Sequence, residues 1–187
     1  QFDQLPNHLW HYSVTGPAME EVFKAVAKPG DRIGGVVLSS GSAGTMGAGS
    51  YIRERHNGAK VGVGEALQCP TILENGFGDH RIEGIGDKHI PWIHNMRETD
   101  MAVGIDDELP IRLIRLFNEP AGQAALREAG VSQADIDKLP LMGISGVGNM
   151  LAAVKMAKYY EMDEGDIVFT MFTDSMAMYG SRIEELD

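Results

Sequence analysis

Short apolar runs of strand length alternate with stretches in which apolar residues recur at helical spacing. That alternation is the mark of a parallel sheet whose strands are joined by crossover helices. Residues 33–39, Ile-Gly-Gly-Val-Val-Leu-Ser, are apolar on both alternating faces, as a strand covered on both sides requires. Residues 60–65 and 167–172 have the same character. Thr15-Gly16-Pro17 places a cap residue and a first-turn proline ahead of a helix over 18–27, which Lys28-Pro29-Gly30 ends; no helix or strand signal is read before Pro17. Small residues over 40–49 turn the first strand into a helix reaching about His56, so that 33–65 forms a strand, turn, helix, strand unit. Asp106 can cap a helix through Phe117 if Pro110 lies in its first turn, and Ser132-Gln133-Ala134-Asp135 has the form of a capping box. Val147, Met150, Leu151, Val154 and Ala157 predict an amphipathic helix over 146–160, packed on the sheet. The expected fold is α/β: an open, mostly parallel sheet in three layers with crossover helices. It forms one domain over residues 1–187, with the polar stretch 119–139 as a helical insertion.

Composition narrows the partners. The chain has 187 residues, 43% hydrophobic and 23% charged, which is globular composition. Sixteen Lys and Arg against 27 Asp and Glu leave a net charge of −11. Such a field repels phosphate backbones and anionic lipid, so neither nucleic acid nor membrane is an expected partner. The apolar runs are also far short of the roughly 20 residues of a membrane helix. A single Cys69 and the lack of a charged-then-apolar leader make the cytoplasm the expected compartment. The chain opens at Gln1 without an initiator Met, which is expected of part of a longer polypeptide.

Nucleotide, dinucleotide and serine-hydrolase signatures are missing. The pairs His8 and His11, and His89 and His94, lack a carboxylate at ligand spacing, and no metal site is expected. The strongest local signal is Ser40-Gly41-Ser42-Ala43-Gly44-Thr45, between a strand and a helix. Small residues there let backbone N–H groups converge at a helix start beside two hydroxyls, which suits a phosphate. A tight connection whose glycines serve only packing explains the same residues. Three more clusters fall where a parallel sheet brings loops to one edge: Gly84-Ile85-Gly86, Gly143-Ile144-Ser145-Gly146, and Thr173-Asp174-Ser175 after the last strand. Taken singly, each is explained by turn chemistry.

Taken in order, these clusters resemble the fold-type II pyridoxal-phosphate enzymes, in particular the cysteine synthase branch. Gln1-Phe2-Asp3-Gln4 with Asn7, then His11-Tyr12 and Thr15-Gly16-Pro17, resembles that branch's Gln-Phe-x-Asn-x-x-Asn and His-Tyr-x-x-Thr-Gly-Pro segment. Gly41-Ser42-Ala43-Gly44-Thr45 stands where the family has the Gly-Thr-Gly-Gly-Thr loop that holds the cofactor phosphate. Ile82-Glu83-Gly84-Ile85-Gly86 and Gly143-Ile144-Ser145-Gly146 resemble the family's Ile-x-Gly-Ile-Gly and Gly-Ile-Ser-Ser-Gly segments.

The resemblance implies pyridoxal 5'-phosphate as cofactor, with Gly41, Ser42, Ala43, Gly44 and Thr45 on its phosphate and Thr173 or Asp174 on its pyridine nitrogen. It implies Gly84, Ile85, Gly86 and Ser145 beside an amino-acid substrate, and β-elimination or β-replacement on a serine- or cysteine-like molecule. Ala43 replaces a family glycine, which is tolerable where that position needs no positive φ. The family's Schiff-base lysine lies upstream of the Gln-Phe segment, and none of the seven lysines here has its context. The chain therefore resembles the carboxy-terminal half of such an enzyme, inactive alone, with the amino-terminal half or a complementary chain as a partner and a homo-oligomer as the expected assembly. The alternative is a non-catalytic α/β subunit that binds a phosphorylated ligand or a partner chain.

Overall fold

The computed structural model describes residues 1–184, and helix begins well before Pro17. α1 (Leu5–Trp10), with Pro6 in its first turn, runs into a π turn over His11–Thr15 and then into α2 (Gly16–Val26). This corrects the expectation of a featureless start. Pro17 has no N–H, and its ring collides with the carbonyl one turn back, so a helix passing through it must widen or stop. Here it widens: the Gly16 N–H reaches back five residues to the His11 carbonyl. The same proline that marks a helix start in sequence is a mid-helix adjustment in space.

β1 (Arg32–Ser39), α3 (Met46–Arg55) and β2 (Lys60–Ala66) form the expected strand, turn, helix, strand unit. Beyond the short α4 (Thr71–Glu74), β3 (Met101–Ile105) is a strand that the sequence pattern missed; five residues with a glycine among them carry too little periodicity. In α5 (Glu108–Asn118), Pro110 does lie in the first turn, and Asp106 Oδ1 accepts the Glu108 N–H at 3.1 Å. The polar stretch 119–139 holds α6 (Pro120–Glu128) and α7 (Gln133–Ile136), whose cap is Ser132: its Oγ accepts the Asp135 N–H at 3.2 Å and donates to the Asp135 carboxylate at 2.7 Å. α8 (Ile144–Tyr159), β4 (Asp166–Phe169) and α9 (Gly180–Glu184) complete the described chain. β4 is shorter than the apolar run 167–172. At Thr170 the chain leaves the sheet, the Thr170 hydroxyl donating to the Val37 carbonyl at 2.7 Å.

The four strands are all parallel in the order β3-β2-β1-β4. Alternation along central β1 sends Val36 and Leu38 into one core, with Ile52 of α3, and Val37 into the other, with Val147, Ala152 and Met156 of α8. Helices thus cover both faces, in three layers.

α8 buries Ser145, Val147, Asn149, Ala152 and Met156, with Met150 and Leu151 partly buried against the same core and Val154 exposed, so its packed face is shifted from the one the apolar spacing indicates. The strands explain why. Gly35 and Gly64 leave no side chain beneath the helix, and a Cβ at Gly35 would stand 2.8 Å from the Met156 methyl. The groove selects the helix face that fits it, small residues and a flexible methionine. Among the described residues no single helix is long and apolar enough to cross a membrane.

Candidate functional site

A cleft of about 590 Å³ opens beyond the carboxyl ends of β1 and β4, where ligands of open α/β sheets bind. Its walls are the 41–45 loop, Gly84, Ile85 and Gly86 opposite, Asn7 and His11 from the amino-terminal helix, and Thr173 with Met171 from the β4 exit. A smaller adjoining space of about 80 Å³ adds Ser145 and Asn149 of α8. The sequence-predicted residues Gly41, Ser42, Ala43, Gly44, Thr45, Gly84, Ile85, Gly86, Ser145 and Thr173 are therefore brought to two contiguous spaces. Asp174 lines neither.

The 41–45 loop is built as a row of open donors. Among the described residues none of the five backbone N–H groups from Gly41 to Thr45 has a hydrogen-bond partner, while the carbonyls of Ala43, Gly44 and Thr45 accept from the first turn of α3 at 2.9–3.2 Å. Free N–H groups at a helix start are the groups that bind anions. Two hydroxyls stand beside them: Ser42 Oγ accepts from Asn7 Nδ2 at 3.1 Å, and Thr45 Oγ1 donates to the Ser39 carbonyl at 3.2 Å. A Cβ at Gly44 would lie 2.2 Å from Asn7 Oδ1, so a larger residue there must displace the Asn7 amide from Ser42. Ala43 does adopt a positive φ of 60°, so the condition for its tolerance fails; the left-handed backbone costs an alanine about 1 kcal/mol, and its buried methyl returns a similar amount.

The opposite wall is held at the loop by one bond, the Gly86 N–H to the Ser40 carbonyl at 2.9 Å. Gly84 and Gly86 have φ of 85° and 87°, which only glycine adopts without strain. At the far end, the hydroxyls of Ser145 and Thr173 are 3.3 Å apart. Asp174 turns away instead: its Oδ2 accepts from the Tyr179 hydroxyl, its backbone carbonyl accepts the Gly143 N–H at 2.9 Å, and burial together with that carboxylate pushes the Tyr179 phenol up to about 12.

Three contributors escaped the sequence pattern. Asn149 is buried on α8, where its Oδ1 accepts from the Ser39 hydroxyl and its Nδ2 donates to the Met171 carbonyl at 3.0 Å, tying the ends of β1 and β4. Asn149 falls outside the apolar period of residues 147, 150, 151, 154 and 157, so the sequence pattern carried no signal for it. His11 belongs to the His-Tyr segment of the resemblance, but neither its place in the cleft nor that of Met171 carries a signal outside the fold. His11 Nδ1 meets Thr15 Oγ1 at 2.9 Å, and burial, then His8, lowers its basicity.

No family model matches the chain. Cysteine synthase 3 of Caenorhabditis elegans is 28% identical over 171 residues, covering 91% of this chain and 44% of the relative. A probable cysteine synthase of Bacillus subtilis is 32% identical over 109 residues, covering 58% of this chain and 34% of its own length. Among solved structures, a hydrogen sulfide-producing enzyme of Fusobacterium nucleatum, in its D232N form, superposes with a TM-score of 0.75 at 27% identity. That match covers 95% of this chain and 47% of the enzyme. The cysteine synthase of Entamoeba histolytica shares the fold at TM-score 0.74 and 19% identity, covering 98% of this chain and 48% of the enzyme. The chain spans between a third and a half of the length of these relatives, and in sequence and fold it is cysteine synthase-like.

Proposed function

We propose that this chain furnishes the cofactor-phosphate and ring-binding portion, the carboxy-terminal half, of a pyridoxal-phosphate-dependent cytoplasmic enzyme acting at the β-carbon of a serine- or cysteine-like amino acid by elimination or replacement. The observation that carries this reading is the row of five unpartnered N–H groups before α3, in a loop that lines a cleft with hydroxyls at its other end. The residues fit the group: backbone donors and the Ser42 hydroxyl for a phosphate at one end, a hydroxyl for a pyridine nitrogen at the other, and glycines on the walls between. Gly41, Ser42, Ala43, Gly44 and Thr45 hold the phosphate. The Thr173 hydroxyl meets the ring nitrogen, with Ser145 as its neighbour, and Gly84, Ile85 and Gly86 leave room for the amino acid.

When bound, the cofactor supplies an electron sink for carbanion chemistry. What this chain does is hold and tune it. A neutral Thr173 hydroxyl donates to an unprotonated ring nitrogen and gives a weaker sink, whereas an ionised carboxylate would keep that nitrogen protonated. No lysine lines either space, and the tethering amine comes from the amino-terminal half.

The test uses the protein joined to its lysine-bearing half. Thr173→Val lowers the β-elimination rate roughly tenfold, the value of about one hydrogen bond, and shifts the cofactor absorbance, while Asp174→Asn does neither. The opposite pattern overturns the choice of Thr173. A joined protein that binds phosphate monoesters but neither eliminates nor replaces is a binding subunit, and overturns the enzymatic reading.

A further inference from the structure

The walls of the cleft and its adjoining space carry, among the described side chains, one that can change charge near neutrality: His11. All the others are Gly, Ala, Ser, Thr, Asn, Gln or apolar side chains, so a dianionic phosphate seated on the 41–45 loop has no fixed positive side chain to meet. His11 reaches the cleft through the π turn, the widened stretch of helix that brings residues 11–15 against α3. π turns recur at functional sites because they redirect one side chain without ending the helix.

We propose that His11 is the charge-compensating group of this cleft: a phosphate ester bound at residues 41–45 draws one proton from solvent onto the imidazole, so that ligand binding and proton uptake are coupled. The inference rests on the phosphate-site reading above and deepens it. Thr15 Oγ1 holds Nδ1 at 2.9 Å, which fixes the ring and leaves Nε2 as the second nitrogen. Without the anion the ring is neutral at pH 7, because burial and then the neighbouring His8 on α1 lower its basicity.

Several of the other charged groups on packed elements are already paired. Glu20 of α2 takes Lys24, Tyr51 and His56. On α3, Arg53 pairs with Asp100, and Glu54 takes Tyr12 at 2.5 Å and Arg55 at 3.0 Å. The 41–45 loop, the 84–86 loop and the β4 exit carry no charged side chain on the cleft; the other titratable groups there are His80, packed behind Gly86, and the amino terminus of Gln1. A bound dianion is then the dominant charge on His11, and an adjacent opposite charge favours the protonated form.

Calorimetric titration at pH 7, in buffers of different ionisation enthalpy, counts the protons taken up per ligand. The probes are sulfate, whose own charge is fixed in this range, and pyridoxine 5'-phosphate, which has no aldehyde to react with lysines. The expected result is uptake of a substantial fraction of one proton with both probes. His11→Gln abolishes that uptake and weakens binding roughly tenfold, and the His11 ring resonances titrate at higher pH when the site is filled. Thr15→Val, which keeps the ring but frees Nδ1, retains the uptake with weaker binding. Binding without proton uptake in the native chain, or uptake that survives in His11→Gln, overturns the role of His11 and leaves the phosphate site standing. Absence of binding by both probes, with the 41–45 amide resonances unmoved, sinks the phosphate site and this role together.

Discussion

The His94 ring is 6% exposed; its Nε2 meets Thr99 Oγ1 at 2.9 Å, and its Nδ1 has no partner among the described residues. Burial, and secondarily His8, brings its pKa from 6.5 to about 4. The folded state therefore binds fewer protons than the unfolded state between those values. Stability from this group is unaffected above about pH 7 and falls as pH drops from 6.5 toward 4, by on the order of 3 kcal/mol in total. Denaturant midpoints measured across that window decline in the native chain and decline less in His94→Gln; equal slopes would show that His94 is not the group responsible. At this scale the sequence was legible where local backbone chemistry dominates. Ser42 and Thr45 stand beside small residues at a helix start, and that is visible in one dimension. His11 and Asn149 were not legible, because their roles depend on a π turn and on a glycine groove that tertiary packing creates.

At the scale of elements, the amino-terminal helix is pressed onto α3 through glycines. A Cβ at Gly47 would stand 2.2 Å from the His8 carbonyl oxygen, and one at Gly16 would stand 2.6 Å from Tyr51 Cβ. Those backbones cannot retreat without moving the wall that carries Asn7 and His11. Gly47→Ala is expected to cost about 2 kcal/mol, in the range of overpacked cores, and to expose residues 5–15 to limited proteolysis. A stable, uncleaved variant would mean that α1 is free to shift. The β1-α3-β2 unit and the α8 helix were foreseen because each is long and strongly patterned. β3 escaped because an edge strand of five residues needs little apolar alternation. The start of α2 was misplaced because Pro17 signals the first turn of a helix equally well when the helix is already running.

At the scale of the whole molecule, several large apolar side chains stand in solvent: Trp92 at 90% and Trp10 at 61% exposed, with Val14, Val22 and Val26 along the outer side of the α1 to α2 helix. Large apolar side chains left in solvent, where they fall together, mark an interface. Sedimentation of the chain is expected to show dimers or larger species, or a complex with a complementary chain; a monomer at high concentration that binds no apolar dye would contradict this.

The central claim is that residues 41–45 seat a phosphate with their own backbone. The direct measurement is an amide chemical-shift titration of the chain with pyridoxine 5'-phosphate, repeated for Gly44→Val, where a branched side chain would collide with Asn7. The account predicts saturable shifts of the Gly41 to Thr45 amides, lost in Gly44→Val while the helical circular dichroism stays nearly unchanged. Shifts that fall elsewhere, or that persist undiminished in Gly44→Val, would contradict it.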